Sequence, residues 1–146
     1  MWYDSNISEY ADINYKINKF YCDKYEIDLI RSNKPHYNDR HPTWECLPLS
    51  LKYIKNYDYV IWIDADAFFY IDSPNIIDFI QKTPKANFIL SKDVTNRDKT
   101  DLNAGFFIIK NTKYSINFLK KWAYDKNLYE KKWTLQLPYW GQEHKD

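Results

Sequence analysis

Apolar side chains recur along this chain in two rhythms, and each change of rhythm marks an element. Ile13, Ile17, Phe20 and Tyr21 return at helical spacing after Ser8 and Glu9, which predicts an amphipathic helix through Lys24 with those side chains inward. A short strand is expected at 26–30. Residues 31–42 are polar, contain Pro35 and Pro42 and show no period, so they read as a loop carrying His36 and His41. Thr43 can cap a second helix with Leu47, Leu51 and Ile54 on its inner stripe; Pro48 is tolerable there because it falls near the first turn.

The next element is a run of strand type. Residues 57–70 read YDYVIWIDADAFFY, a buried strand that ends in Asp64 and Asp66. Ser73 and Pro74 have the character of an N-cap and first helical residue for a short helix bearing Ile76, Ile77 and Ile80, followed by a short strand at 87–90. Residues 92–102 are charged and featureless, hence a loop, and 104–109 form a continuous apolar run of strand length. Asn111 or Thr112 then caps a helix with Phe118, Leu119, Trp122 and Ala123 inward. The order helix, strand, helix, strand, helix, strand, strand, helix predicts one α/β domain over residues 1–146, an α/β/α sandwich with a mostly parallel central sheet.

The two carboxylates carry the chemistry. A strand sends alternate side chains to opposite faces, so Asp64 and Asp66 are expected on one side with Ala65 on the other. Two hard oxygen ligands side by side suit a divalent cation, and the carboxyl end of a buried strand is where open α/β sheets place their ligands. The loop histidines His36 and His41 read as solvated residues.

Composition narrows the partners. Twenty-one basic and 20 acidic residues are interspersed to a formal charge of +1, which offers no footprint for a nucleic-acid backbone or an anionic membrane. Cys22 and Cys46 fall in different predicted helices and form no zinc spacing, so free thiols and a cytoplasmic, reducing compartment are expected. The amino terminus has no basic segment followed by an apolar run, and no stretch approaches the roughly 20 apolar residues of a membrane span. Fourteen Tyr, 8 Phe and 6 Trp supply core volume and stacking surface for sugars or bases. Only Gly105 and Gly141 are glycines, so each is expected where a side chain or a negative φ cannot be accommodated.

Taken together, Asp64-Ala65-Asp66 after an apolar strand, Asn103-Ala104-Gly105 heading the next long strand 37 residues on (103 − 66), the capped helix with Trp122, and Trp140-Gly141-Gln142-Glu143 resemble a nucleotide-sugar glycosyltransferase of the GT-A fold. The resemblance is to the galactosyl- and mannosyltransferase-like group and covers residues 10–143. It implies a Rossmann-like GT-A domain and transfer of a hexose or pentose from a nucleoside diphosphate sugar to a glycan or other hydroxyl acceptor, with retention of configuration. By the same resemblance Asp64 and Asp66 hold Mn²⁺ or Mg²⁺, and Asp64, Ala65, Asp66, Asn103, Ala104 and Gly105 line the substrate site. Gln142 and Glu143 would face the reacting sugar carbon.

The chain also departs from that group. Cys46 stands two residues after Trp44, where members often carry a lysine. Gly141 replaces the acid that often precedes the glutamine, and His144 does not match the late histidine that often supplies a third metal ligand. Met1 to Ile7 lacks the apolar run of a first strand, so the domain is expected to be truncated at both ends. Two other readings compete. A haloacid dehalogenase-type phosphohydrolase also places Asp-x-Asp after a strand, but Ala67, Phe68 and Phe69 follow here instead of the expected Thr or Gly. The other is a degenerate sugar-nucleotide or glycan-binding module without catalysis.

Overall fold

The computed structural model describes residues 1–92 and 102–125. Three strands, β1 (Tyr59–Ile63), β2 (Phe88–Lys92) and β3 (Leu102–Lys110), form one sheet in the order β1-β3-β2. Around it lie α1 (Ser8–Lys24), α2 (Cys46–Tyr53), α3 (Ile76–Gln81) and α4 (Lys113–Tyr124). Both ladders are antiparallel, so β1 and β2 run the same way on either side of β3. This mixed α/β arrangement corrects the expectation of a mostly parallel sheet. Residues 93–101 alone separate β2 from β3, fewer than the dozen or so that a parallel crossover takes, and β3 returns antiparallel.

The expected strand at 26–30 is also corrected. Glu26 takes φ 55°, a left-handed conformation costly for a residue with a Cβ, and 27–30 join no strand among the described residues. An isolated parallel bridge between Trp2 and Ser32 lies just beyond that stretch. A cavity of about 720 Å³ is lined by this stretch at Ile27 and Leu29 and by β1 at Ile61 and Ile63.

Apolar side chains bury on both faces of the sheet. Leu47 and Ile54 pack with Trp62, Phe107 and Ile109 and with Leu119 of α4 in one cluster. Ala11 of α1 packs with Ile63 and Ala65 in a second cluster, against which the half-buried Phe69 and Phe106 rest. Alternation along β3 explains the division, because Phe107 and Ile109 point one way and Phe106 the other. Each large side chain removed from water contributes about 1.5–3 kcal/mol.

Helix ends follow local chemistry. Thr112 caps α4 by accepting the Ser115 N–H at 3.1 Å. Asn75, rather than Ser73, caps α3, accepting from the Ile77 N–H at 3.0 Å. A 3₁₀ turn, Pro42–Glu45, precedes α2, and its cap is His41 rather than Thr43. Along α4, Leu119 and Ala123 are buried as expected, while Phe118 stays at the exposed rim.

Helix α1 has the expected bounds, but of its expected inner stripe only Tyr21 is buried. Ile13 is 56% exposed and Phe20 62%, whereas Asn18 is 0% exposed and Ala11, Asn14, Tyr21 and Cys22 are buried with it. What α1 meets over much of this face is loop backbone, whose N–H and C=O groups need polar partners. Among the described residues no helix is long and apolar enough to cross a membrane.

Candidate functional site

Strand β1 ends at Ile63, and the acidic triplet leaves it in a turn. The Ala67 N–H donates to Asp64 O at 3.1 Å, closing a four-residue turn over Asp64, Ala65, Asp66 and Ala67. The expectation that both acids project from a continuing strand is corrected in that respect. Asp64 is half-buried at the strand end, Asp66 is exposed on the turn, and Ala65 is buried against Met1, Ala11 and Ile63.

Two hydrogen bonds and one missing side chain define the surroundings of Asp64. Trp62 lies two residues earlier on the same strand face, and its Nε1–H donates to Asp64 Oδ1 at 2.7 Å. The Asp64 N–H donates to Gly105 O at 2.9 Å, extending the β1–β3 ladder by one pair beyond Ile63 and Phe106. Gly105 has no side chain to meet the acid, and a Cβ built there would lie 2.9 Å from Asp64 Oδ2 and 2.9 Å from Asn103 Oδ1. The expectation that this glycine stands where a side chain does not fit is thereby given its physical form, which is space rather than a positive φ.

Burial pushes the Asp64 carboxyl above the usual carboxylate range; the Trp62 hydrogen bond opposes the rise and the neighbouring Asp66 charge adds to it. Asp64 is therefore an acid kept poorly solvated with one oxygen fixed. Asp66, two residues on in the same turn, supplies a second, solvent-facing carboxylate whose charge acts on the first.

The Asn103-Ala104-Gly105 segment reaches the acids through an irregularity in the sheet. The β2–β3 register shifts between Leu90, paired with Phe107, and Ser91, paired with Asn103. Ala104, Gly105 and Phe106 bulge out of that ladder, and the Ser91 hydroxyl, 3.1 Å from Asn103 O and 3.3 Å from Phe106 O, bridges the bulge. Asn103 Oδ1 accepts the Gly105 N–H at 2.7 Å. Asn103 and Ala104 are exposed.

Other candidates lie elsewhere. His36 Nδ1 is 2.8 Å from the buried Glu45 Oε2, and His41 accepts the Thr43 N–H at 3.4 Å, so each is engaged by the 3₁₀ turn before α2. Cys46 is buried, its S–H directed at Thr43 O, and desolvation pushes its thiol up, with the Asp64 charge adding to the rise. Cys22 is a second buried free thiol. Gln142, Glu143, Gly141 and His144 fall outside the described residues. Among the described residues no third His, Cys, Asp or Glu joins Asp64 and Asp66 as a metal cluster.

Candidate residues read from the sequence omitted the inner face of α1. Asn14 and Asn18 both reach the chain around the acidic turn, and Tyr21 and Tyr25 continue the same stripe to Pro74 O at 2.7 Å and Ser73 O at 3.2 Å. The signal was present as polar residues at 14, 18, 21 and 25, a helical stripe beginning beside Ala11.

Residues 5–135 match the family described as "Protein of unknown function, DUF273", and the chain belongs to that family. Among curated proteins none matches the sequence.

Proposed function

We propose that this chain is a metal-dependent glycosyltransferase domain of the GT-A type, moving a sugar from a nucleoside diphosphate sugar to a glycan or other hydroxyl acceptor with retention of configuration. The observation that supports this reading is the meeting of two separate motifs. Asp64 of the Asp-Ala-Asp turn pairs through its backbone with Gly105 of Asn-Ala-Gly, and its carboxylate faces the missing Cβ. A half-buried acid, an exposed acid and a strand without a side chain together suit a cation and the diphosphate it carries.

The donor set fits a hard divalent ion. Asp64 Oδ2 and the Asp66 carboxylate would hold Mn²⁺ or Mg²⁺, with Asp64 Oδ1 kept in place by Trp62. When bound, such an ion supplies Lewis-acid stabilisation for the negative charge of a departing nucleoside diphosphate. Within the chain, Asp66 faces solvent where a ligand arrives, and Gly105 leaves room beside Asp64. Gln142 and Glu143 are proposed to face the sugar carbon.

The test is a thermal-shift panel of nucleotide sugars with and without Mn²⁺, followed by transfer and donor-hydrolysis assays on the best ligand. Stabilisation by one donor only when Mn²⁺ is present, abolished in Asp64→Ala and Asp66→Ala, is the expected result. Donor binding and transfer that persist in both variants would sink the assignment. Mn²⁺-dependent donor binding with neither transfer nor hydrolysis would identify a binding module instead.

A further inference from the structure

The acidic turn is held by α1 as well as by the sheet. Asn14 Nδ2 donates to Ala65 O at 2.9 Å. One turn along the helix, Asn18 Nδ2 donates to Ala67 O at 3.0 Å and its Oδ1 accepts the Phe69 N–H at 2.9 Å. Asn18 thus uses both ends of one planar amide to clamp the chain immediately after Asp66. Asn14 and Asn18 are 9% and 0% exposed, and the backbone groups they meet have left the β1–β3 ladder.

Asparagine is a poor choice here on general grounds. It ranks below Ala and Leu in helix interiors, and burying a carboxamide is costly unless its hydrogen bonds are made. A leucine at either site would suit the helix better but leave Ala65 O, Ala67 O or the Phe69 N–H without a partner. The spacing of four places both amides on one face, one above the other, so a single rigid helix sets the backbone on both sides of Asp66. The Asp64 end of the same turn is set by Gly105 O. Asp66 therefore hangs from a backbone fixed at 64, 65 and 67.

We propose that Asn14 and Asn18 are positioning residues for the cation-diphosphate site, holding the turn so that the Asp66 carboxylate stays beside that of Asp64. This rests on the glycosyltransferase reading above. Tyr21 provides the internal comparison, because it lies on the same buried face and makes bonds of the same kind to Pro74 O and the Ile76 N–H, further along the loop from the acids.

The experiment titrates MnCl₂ alone into the full chain and into Asn14→Ala, Asn18→Ala and Tyr21→Phe by calorimetry, with thermal denaturation of each. Both asparagine variants are expected to weaken Mn²⁺ binding roughly 10- to 100-fold, the range for residues that orient metal ligands. Tyr21→Phe is expected to lose stability without losing Mn²⁺ affinity. Asparagine variants that bind Mn²⁺ like the parent, or a Tyr21→Phe variant that weakens it equally, overturn the inference. If Asn18→Ala does not fold, Asn14→Ala, which removes only the bond to Ala65 O, carries the same comparison. A parent chain that binds Mn²⁺ neither alone nor in the presence of a nucleoside diphosphate overturns the proposed function. The hold on the turn is then read from amide exchange in the asparagine variants: faster exchange confined to Ala67 and Phe69 supports it, and acceleration spread equally to Ile61 and Ile108 overturns it.

Discussion

Asp64 and Gly105 face each other across the end of the β1–β3 ladder, joined by the Asp64 N–H to Gly105 O bond at 2.9 Å, with the acid occupying the space a Cβ would need. Gly105→Ala leaves φ unstrained but brings a methyl group within 2.9 Å of Asp64 Oδ2 and of Asn103 Oδ1. Both contacts are side-chain tips, so the fold survives and the carboxylate moves. Mn²⁺ affinity is expected to fall roughly 10- to 100-fold with little change in far-ultraviolet circular dichroism. Unchanged affinity would show that Asp64 Oδ2 does not need its present place.

The Asp64 carboxyl titrates above its ordinary 3.8, chiefly because it is buried. An acid that holds its proton more tightly folded than unfolded works against folding once ionised, so this cost is absent at pH below the unfolded value and complete above the folded one. Asp64→Asn keeps the oxygen that accepts from Trp62. The variant is therefore expected to melt above the parent at pH 7, with the gap closing toward pH 3, while Mn²⁺ binding is lost. Thermal denaturation across that range decides it, and a variant less stable than the parent at pH 7 contradicts the account.

Trp62→Phe preserves a ring against Phe107, whose centroid lies 6.1 Å away at an interplanar angle of 17°, but removes the donor to Asp64 Oδ1. Losing a hydrogen bond to a charged, half-buried group costs about 1.5–3 kcal/mol. The same loss removes the interaction that keeps the Asp64 titration down, so the acid is expected to titrate at still higher pH, read by carboxyl NMR. A variant with the parent's stability and titration would mean that the indole N–H has no role at the acid.

Glu45 offers a control whose hydrogen bonds go to His36 and Tyr37 and to neither acid. Only 2% exposed, it accepts the His36 N–H at 2.8 Å and the Tyr37 N–H at 3.0 Å and meets His36 Nδ1 at 2.8 Å. Glu45→Ala leaves two backbone donors without their acceptor, and each such loss costs about 1–3 kcal/mol. Urea denaturation should register that loss, and Mn²⁺ affinity of the folded variant should not change. Weakened metal binding would tie the 31–42 loop to the site.

Much of the fold can be read from local pattern, and its limits fall at identifiable residues. The apolar runs at 57–63 and 104–109 correspond to β1 and β3, and the Thr112 cap and Leu119–Ala123 spacing to α4. These elements bury apolar surface, which is what periodicity measures. The stripe of Ile13, Ile17 and Phe20 misleads because α1 meets loop backbone, and polar Asn14, Asn18 and Tyr21 satisfy it better than apolar side chains would. The stretch 27–30 has strand composition but no strand partner among the described residues, and composition cannot supply one.

By itself the sequence determined that a carboxylate pair ends a buried strand, that one of two glycines stands at 105, and that helices and strands alternate around them. These are local properties of residue type and spacing. Only the tertiary structure decided that Asp64 and Gly105 pair, that the acids sit on a turn rather than along a strand, and that two asparagines from α1 hold that turn. Strand register and the partner of a helix face are long-range choices, settled when backbone and side-chain groups over 40 residues apart in sequence find each other.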